Sequence, residues 1–158
     1  MKYRFSKTLM FSLLLLVLPF TKAVSDDALS SSKGLNPFVA ADPQLIAGNF
    51  FDYYPIVLGG LGGFRSIIVL ACVQDAACTF DLCTIPLNTT NFQCSFNNVY
   101  APREVQFLDA RFDFPLNNTG GQVYIFNSAG GNSFGASQQF VFDVQGNGFT
   151  FVGPIQGG

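Results

Sequence analysis

Cys72, Cys78, Cys83 and Cys94 form the one cluster in this chain whose residue types suit metal, redox or nucleophilic chemistry. Their spacing is C-x5-C-x4-C-x10-C. A structural zinc site sets a close cysteine pair in each half, and thioredoxin-like exchange needs C-x-x-C. Neither pattern is present, so two disulfides are expected. With Cys78 to Ile85 extended, Cys78 and Cys83 lie about 16 Å apart on opposite faces, beyond the roughly 7 Å that a bridge spans. Cys72 and Cys78 flank the short turn VQDAA, and Cys83 and Cys94 bracket a turn-rich loop. The sequential pairing is therefore expected, with Cys72–Cys78 closing a hairpin and Cys83–Cys94 beside it. The crossed pairing, Cys72–Cys83 with Cys78–Cys94, needs a shifted register.

The chain contains no histidine. That removes the commonest general base, the usual zinc ligand and the histidine-paired nucleophile. Gly131-Asn132-Ser133-Phe134-Gly135 matches a nucleophile elbow, but the motif works by presenting Ser Oγ to a histidine base at a strand-to-helix turn. The match is read as accidental. Gly59-Gly60-Leu61-Gly62-Gly63 precedes a β-branched run rather than a helix, so it reads as a turn and not as a phosphate cradle. Asp109 and Asp113, four residues apart on a strand, put their α-carbons about 13 Å apart. Glycosidase carboxyl pairs sit at roughly 5–9.5 Å. With Arg111 between them, the expectation is a solvated Asp-Arg-Asp ladder opposite a core face of Leu108, Ala110, Phe112 and Phe114. No enzyme is expected, and no motif asks for a cofactor or a metal.

Two N-x-Thr sequons, at Asn88 and Asn117, fall in turns between strand candidates and are expected to carry N-glycans.

The elements that must hold these residues begin after an export signal. Lys2, Arg4 and Lys7 precede an apolar run from Leu9 to Phe20, and small residues follow it. That order predicts a signal peptide over residues 1–23. The run is shorter than the ~18–20 residues of a membrane span. Removing it takes away Lys2, Arg4, Lys7 and Lys22, half of the eight Lys and Arg, and leaves all ten Asp and Glu. The net charge then falls from −2 to −6. An acidic, sparsely charged surface excludes nucleic acid as a partner class.

Residues 24–36 are polar and serine-rich, and predict a flexible leader. Residues 37–158 predict one disulfide-stapled domain. Asp42-Pro43 predicts a short helix start. From Tyr53 onward the pattern is β, with YPIVLGG and SIIVLAC reading as strands buried on both faces. In REVQFLDARFDF the alternation changes phase, which predicts a bulge near Phe107-Leu108. Gly146-Asn147-Gly148 predicts a tight hairpin. About eight short strands without a helix of useful length make an all-β antiparallel sandwich, jelly-roll or Ig-like, with a closed β-barrel as the alternative.

The function expected from this is a secreted, glycosylated, non-catalytic module binding a protein or glycan through its loops, with Tyr53, Tyr54 and Tyr100 as candidate contacts. Two alternatives stand beside it. Sixteen of the 19 Phe lie beyond the signal, enough to line a barrel that carries an apolar small ligand. The Gly, Asn and Phe-rich tail could instead mark a self-associating matrix or coat component.

Overall fold

The computed structural model describes residues 34–46, 50–128, 133–143 and 145–156. The expected signal peptide and most of the expected leader lie outside the described residues. Ten strands run in chain order: β1 Val39–Ala40, β2 Phe50–Leu58, β3 Phe64–Cys72, β4 Cys78–Pro86, β5 Gln93–Tyr100, β6 Val105–Asp109, β7 Gly120–Asn127, β8 Gly135–Asp143, β9 Phe149–Val152 and β10 Ile155–Gln156. They form two antiparallel sheets. One has six strands in the order β1-β5-β4-β7-β2-β10, the other four in the order β6-β3-β8-β9. The sheets do not close into a barrel, and the architecture is the sandwich. The strands beyond the eight expected are β1 and β10, two residues each and too short to carry a period.

Alternation explains the core. On β3, Ile68, Leu70 and Cys72 point inward, and they meet Phe80 and Leu82 of β4, Val123 and Ile125 of β7, Tyr54 of β2 and Leu108 of β6. Each fully buried Leu or Ile contributes about 1.5–3 kcal/mol over its exposed state. Phe114 and Leu116, from the β6–β7 connection, close this cluster from one side.

The disulfides are Cys72–Cys78 and Cys83–Cys94, with α-carbons 5.7 and 4.1 Å apart. The second joins directly opposed residues of β4 and β5. The first does not close a hairpin. β3 belongs to the four-stranded sheet and β4 to the six-stranded one, so Cys72–Cys78 rivets the corner where the chain changes layer. A five-residue turn looks the same in sequence whether its strands pair or diverge.

Two further expectations are corrected. There is no bulge at Phe107-Leu108: β6 pairs with β3 in unbroken register from Val105↔Ala71 to Asp109↔Ile67. The phase change marks the strand's end, because Ala110 onward is a turn closed by Phe112 and Asp113 N–H groups on the Asp109 carbonyl. The turn reverses the direction of Phe112, which is exposed, while Ala110 and Phe114 stay in the core. At the other end, Leu35 packs on the core and Asn36 is bonded by β5, so the last leader residues belong to the folded domain. Asp42 does start a short helical turn, Pro43–Ile46, and its Oδ1 accepts from Gln44 N at 2.9 Å.

Candidate functional site

The three tyrosines do not form a loop site. Tyr54 and Tyr100 are 0 % and 1 % exposed, inside strands β2 and β5, and Tyr53 stacks on Tyr124 at 4.4 Å on the outer face of the larger sheet. Aromatic residues next to Pro55 and Ala101 resemble loop contacts in sequence, but period-two alternation places Tyr54 and Tyr100 inward. Burial raises the pKa of both phenols; for Tyr100 the Glu104 and Asp113 carboxylates raise it further.

The other motifs resolve into scaffold. Ser133 is buried and its Oγ accepts from Thr79 N at 2.8 Å, while Gly131 and Asn132 lie outside the described residues. Gly59–Gly63 is a layer-changing turn, with Gly60, Gly62 and Gly63 at positive φ, as the permissive residue allows. Asp109 and Asp113 form no ladder: Asp113 caps the Asp109 N–H at 2.6 Å, and Asp109 holds Arg111 at 2.9 Å and Arg65 at 3.3 Å. Among the described residues no group of three His, Cys, Asp or Glu side chains is placed to hold a metal. Asn88 and Asn117 are exposed in turns at one end of the sandwich, beside the Leu58↔Gly120 pairing and the Leu87 N–H to Gly120 carbonyl bond. An apolar cleft of about 270 Å³ lies at this end, with Asn88 and Leu61 on its lining.

Sequence reasoning missed a buried polar seam between the sheets. Asp52 accepts a hydrogen bond from Ser137 Oγ and another from Gln156 Nε2 at 2.6 Å. Tyr54 Oη lies 2.7 Å from Ser137 Oγ, and since the serine proton goes to Asp52, the tyrosine donates. Burial outweighs these bonds and raises the Asp52 pKa. Beside it, Gln139 donates to the Ile56 carbonyl and to Ser66 Oγ. The only sequence signal was a polar residue at an inward position of FFDYYPIVL and SQQFVFDV.

It also missed the outer face of the four-stranded sheet. Residues directly opposed across a ladder share a face. The register pairs Val69 with Phe107, Ala71 with Val105, Ile67 with Phe140, and Phe140 with Phe151. All project away from the core cluster. Val105, Phe107 and Phe151 remain 50 %, 44 % and 65 % exposed, and no described element covers them. Arg65, stacked over Phe142, and the Arg111–Asp109 pair bound this surface at one end. Isolated exposed apolar residues are ordinary, but a contiguous apolar sheet face is a feature of surfaces that bind.

No protein-family model, curated protein or solved structure matches this chain. The functional reading therefore rests on the surfaces themselves.

Proposed function

We propose that this chain is a secreted, N-glycosylated, non-catalytic β-sandwich that binds a protein partner through the outer face of its four-stranded sheet. The carrying observation is that face: Val105, Phe107 and Val69 on β6 and β3 continue through the buried Ile67 to Phe140 and Phe151 on β8 and β9. Val105, Phe107 and Phe151 are exposed, and Gln138, opposite Val69, is the polar residue among them. Two disulfides support a route through an oxidising compartment, where such bonds persist. The sequon asparagines lie in turns at one end of the sandwich and not on the strands of this face. The partner expected is a protein with a matching apolar surface rather than a glycan, because the most exposed side chains of the face are Val105, Phe107 and Phe151.

A photo-crosslinking residue placed at Phe107 or Phe151 tests this in the secreted protein, with Asn117 as the control position. The expected result is one discrete adduct from the face, absent from the control. Unlabelled wild type should compete it away, and a Phe107→Asp/Phe151→Asp variant should not. Equal adducts from all three positions, or competition by the double variant, would overturn the reading. An adduct consisting of two copies of this chain would instead favour the self-associating component. The neutral Arg111–Asp109 border supports that second reading, because it lets an acidic protein meet itself without local repulsion.

A further inference from the structure

The sandwich is open along its β5–β6 edge, and the opening is lined with amides. A cleft of about 300 Å³ lies there, bounded by Gly34–Asn36, by Asn97–Tyr100 of β5 and by Gln106 of β6. Its shape comes from a local irregularity. The β4–β5 register passes from Phe80↔Asn98 to Leu82↔Ser95, so β5 holds one residue more than its partner. Asn97 takes up the extra residue with φ 56° and donates its N–H to Asp81 at 2.7 Å. Bulges of this kind re-aim side chains at sheet edges. Here the irregularity leaves the Asn97 side chain exposed on the cleft wall and turns Asn98 inward.

Asn98 is spent on structure: it bonds the Phe80 and Ser95 carbonyls, Ser95 Oγ and the Asn36 N–H. Its neighbours are not. Tyr100 Oη and Gln106 Oε1 are both buried and make no hydrogen bond, although each belongs to a residue at least nine-tenths buried that lines the cleft. Native proteins rarely leave such groups unmatched, because each forfeits the bonds it had in water. Gln106 Nε2 is tied to Glu104 at 2.8 Å, which fixes the carboxamide and leaves its oxygen as the open acceptor. The cleft therefore sets an exposed amide, both donor and acceptor, beside an unmatched phenolic hydroxyl and an unmatched carboxamide oxygen that lie just beneath its wall.

We propose that this edge cleft binds a small, neutral, polyhydroxylated ligand such as one sugar ring. Each hydroxyl of such a ligand donates and accepts, as the open groups require. Charge selects against the other small polar classes. The cleft lining holds no Lys or Arg, and the Glu104 carboxylate lies next to it, so phosphates and carboxylates are repelled. The site is independent of the apolar face, and neither reading depends on the other.

Amide chemical shifts of the isotopically labelled, secreted chain test it, with glucose, mannose and N-acetylglucosamine as probes and inorganic phosphate and acetate as controls. At least one sugar should move the Asn36, Val99 and Tyr100 amides saturably, and neither anion should. Tyr100→Phe removes only the unbonded hydroxyl, and Asn97→Gly keeps a residue at home at positive φ. Each variant should retain the wild-type melting behaviour and bind about three- to tenfold more weakly, the cost of one neutral hydrogen bond. No saturable shift with any sugar, equal affinity in both variants, or an equal response to phosphate would each overturn the proposal.

Discussion

Cys72 ends β3 and Cys78 begins β4, and the disulfide between them joins the four-stranded sheet to the six-stranded one. Cys83–Cys94, by contrast, links two strands that already pair within one sheet. The two bridges close loops of similar size, so the chain-entropy contribution is about 2–3 kcal/mol for each. They differ in what native contact they guard. Replacing Cys72 and Cys78 together by Ala should lower stability by about that amount. It should also speed amide exchange at the corner, in Val73–Ala77 and in Phe134, whose carbonyl accepts from Val73 N. Replacing Cys83 and Cys94 should cost as much with exchange changes confined to β4 and β5. Hydrogen exchange with urea denaturation reads both, and identical exchange patterns would contradict the division.

Two buried tyrosines should respond oppositely to loss of a hydroxyl. Tyr54 donates to Ser137 within the Asp52 network, whereas Tyr100 Oη has no partner. Tyr54→Phe should cost about 1–2 kcal/mol, since it also strands a buried acceptor. Tyr100→Phe should be neutral or slightly stabilising. Urea midpoints of the two variants, measured side by side, decide the matter.

The contrast between these tyrosines also shows where sequence reading reaches its limit. Strand positions were legible from β-branched runs between glycine turns, and the cystine partners from chain distances that geometry forbids or allows. What was not legible is which layer each strand joins. YPIVLGG and SIIVLAC look like neighbours in one sheet, yet β2 and β3 lie in different ones. Their apolar runs suggested burial on both faces; on β3 this holds for Arg65 and Ile67 of the outer face, while Val69 and Ala71 there are only half-buried, and on β2 Ile56 is exposed. Layer assignment depends on long-range pairing, such as β3 with β8 and β2 with β7, to which local periodicity is blind. The edge cleft was hidden for the same reason, because Asn97 and Gln106 come together only when the two sheets stack.

Asp52 should make stability depend on pH. Burial raises its pKa, against the opposing effect of its bonds from Ser137 and Gln156. The folded state then holds this proton more tightly than the unfolded chain does. Its contribution is fully present below the unfolded carboxylate value and is lost as pH rises through the higher folded value. Asp52→Asn keeps the shape and removes the titration. Urea midpoints of wild type should therefore fall, relative to the variant, as pH rises across that window. A parallel course for the two proteins would show that Asp52 does not titrate there.

The sequons make a prediction about surface. Asn88 and Asn117 are exposed at one end of the sandwich, in turns where they adopt φ of 60° and 54°. Secreted from a eukaryotic host, the protein should lose one glycan mass with Asn88→Gln and another with Asn117→Gln. Both variants should remain folded, since no hydrogen bond of the described structure uses either side chain. Intact-mass measurement of the two variants checks each site separately.

Gly121 is the most tightly enclosed of the described glycines. It lies in β7 opposite Pro86 of β4 and Val57 of β2, where both neighbours run close to its α-carbon. A β-carbon there would stand 2.3 Å from the Ile85 carbonyl oxygen, 2.9 Å from Leu116 Cδ2 and 3.0 Å from Pro86 Cα. Two of these three contacts are backbone atoms of a paired strand, which cannot rotate away. Gly121→Ala should therefore push β4 from β7 and disturb Leu116 in the core, at a cost of about 3 kcal/mol, the upper range for overpacking. Gly146→Ala, by comparison, meets no atom within 4 Å and strains only its own positive φ. Its cost should be about 1 kcal/mol. If thermal melts place the two variants together, the close approach of β4 and β7 at Gly121 is relaxed in solution.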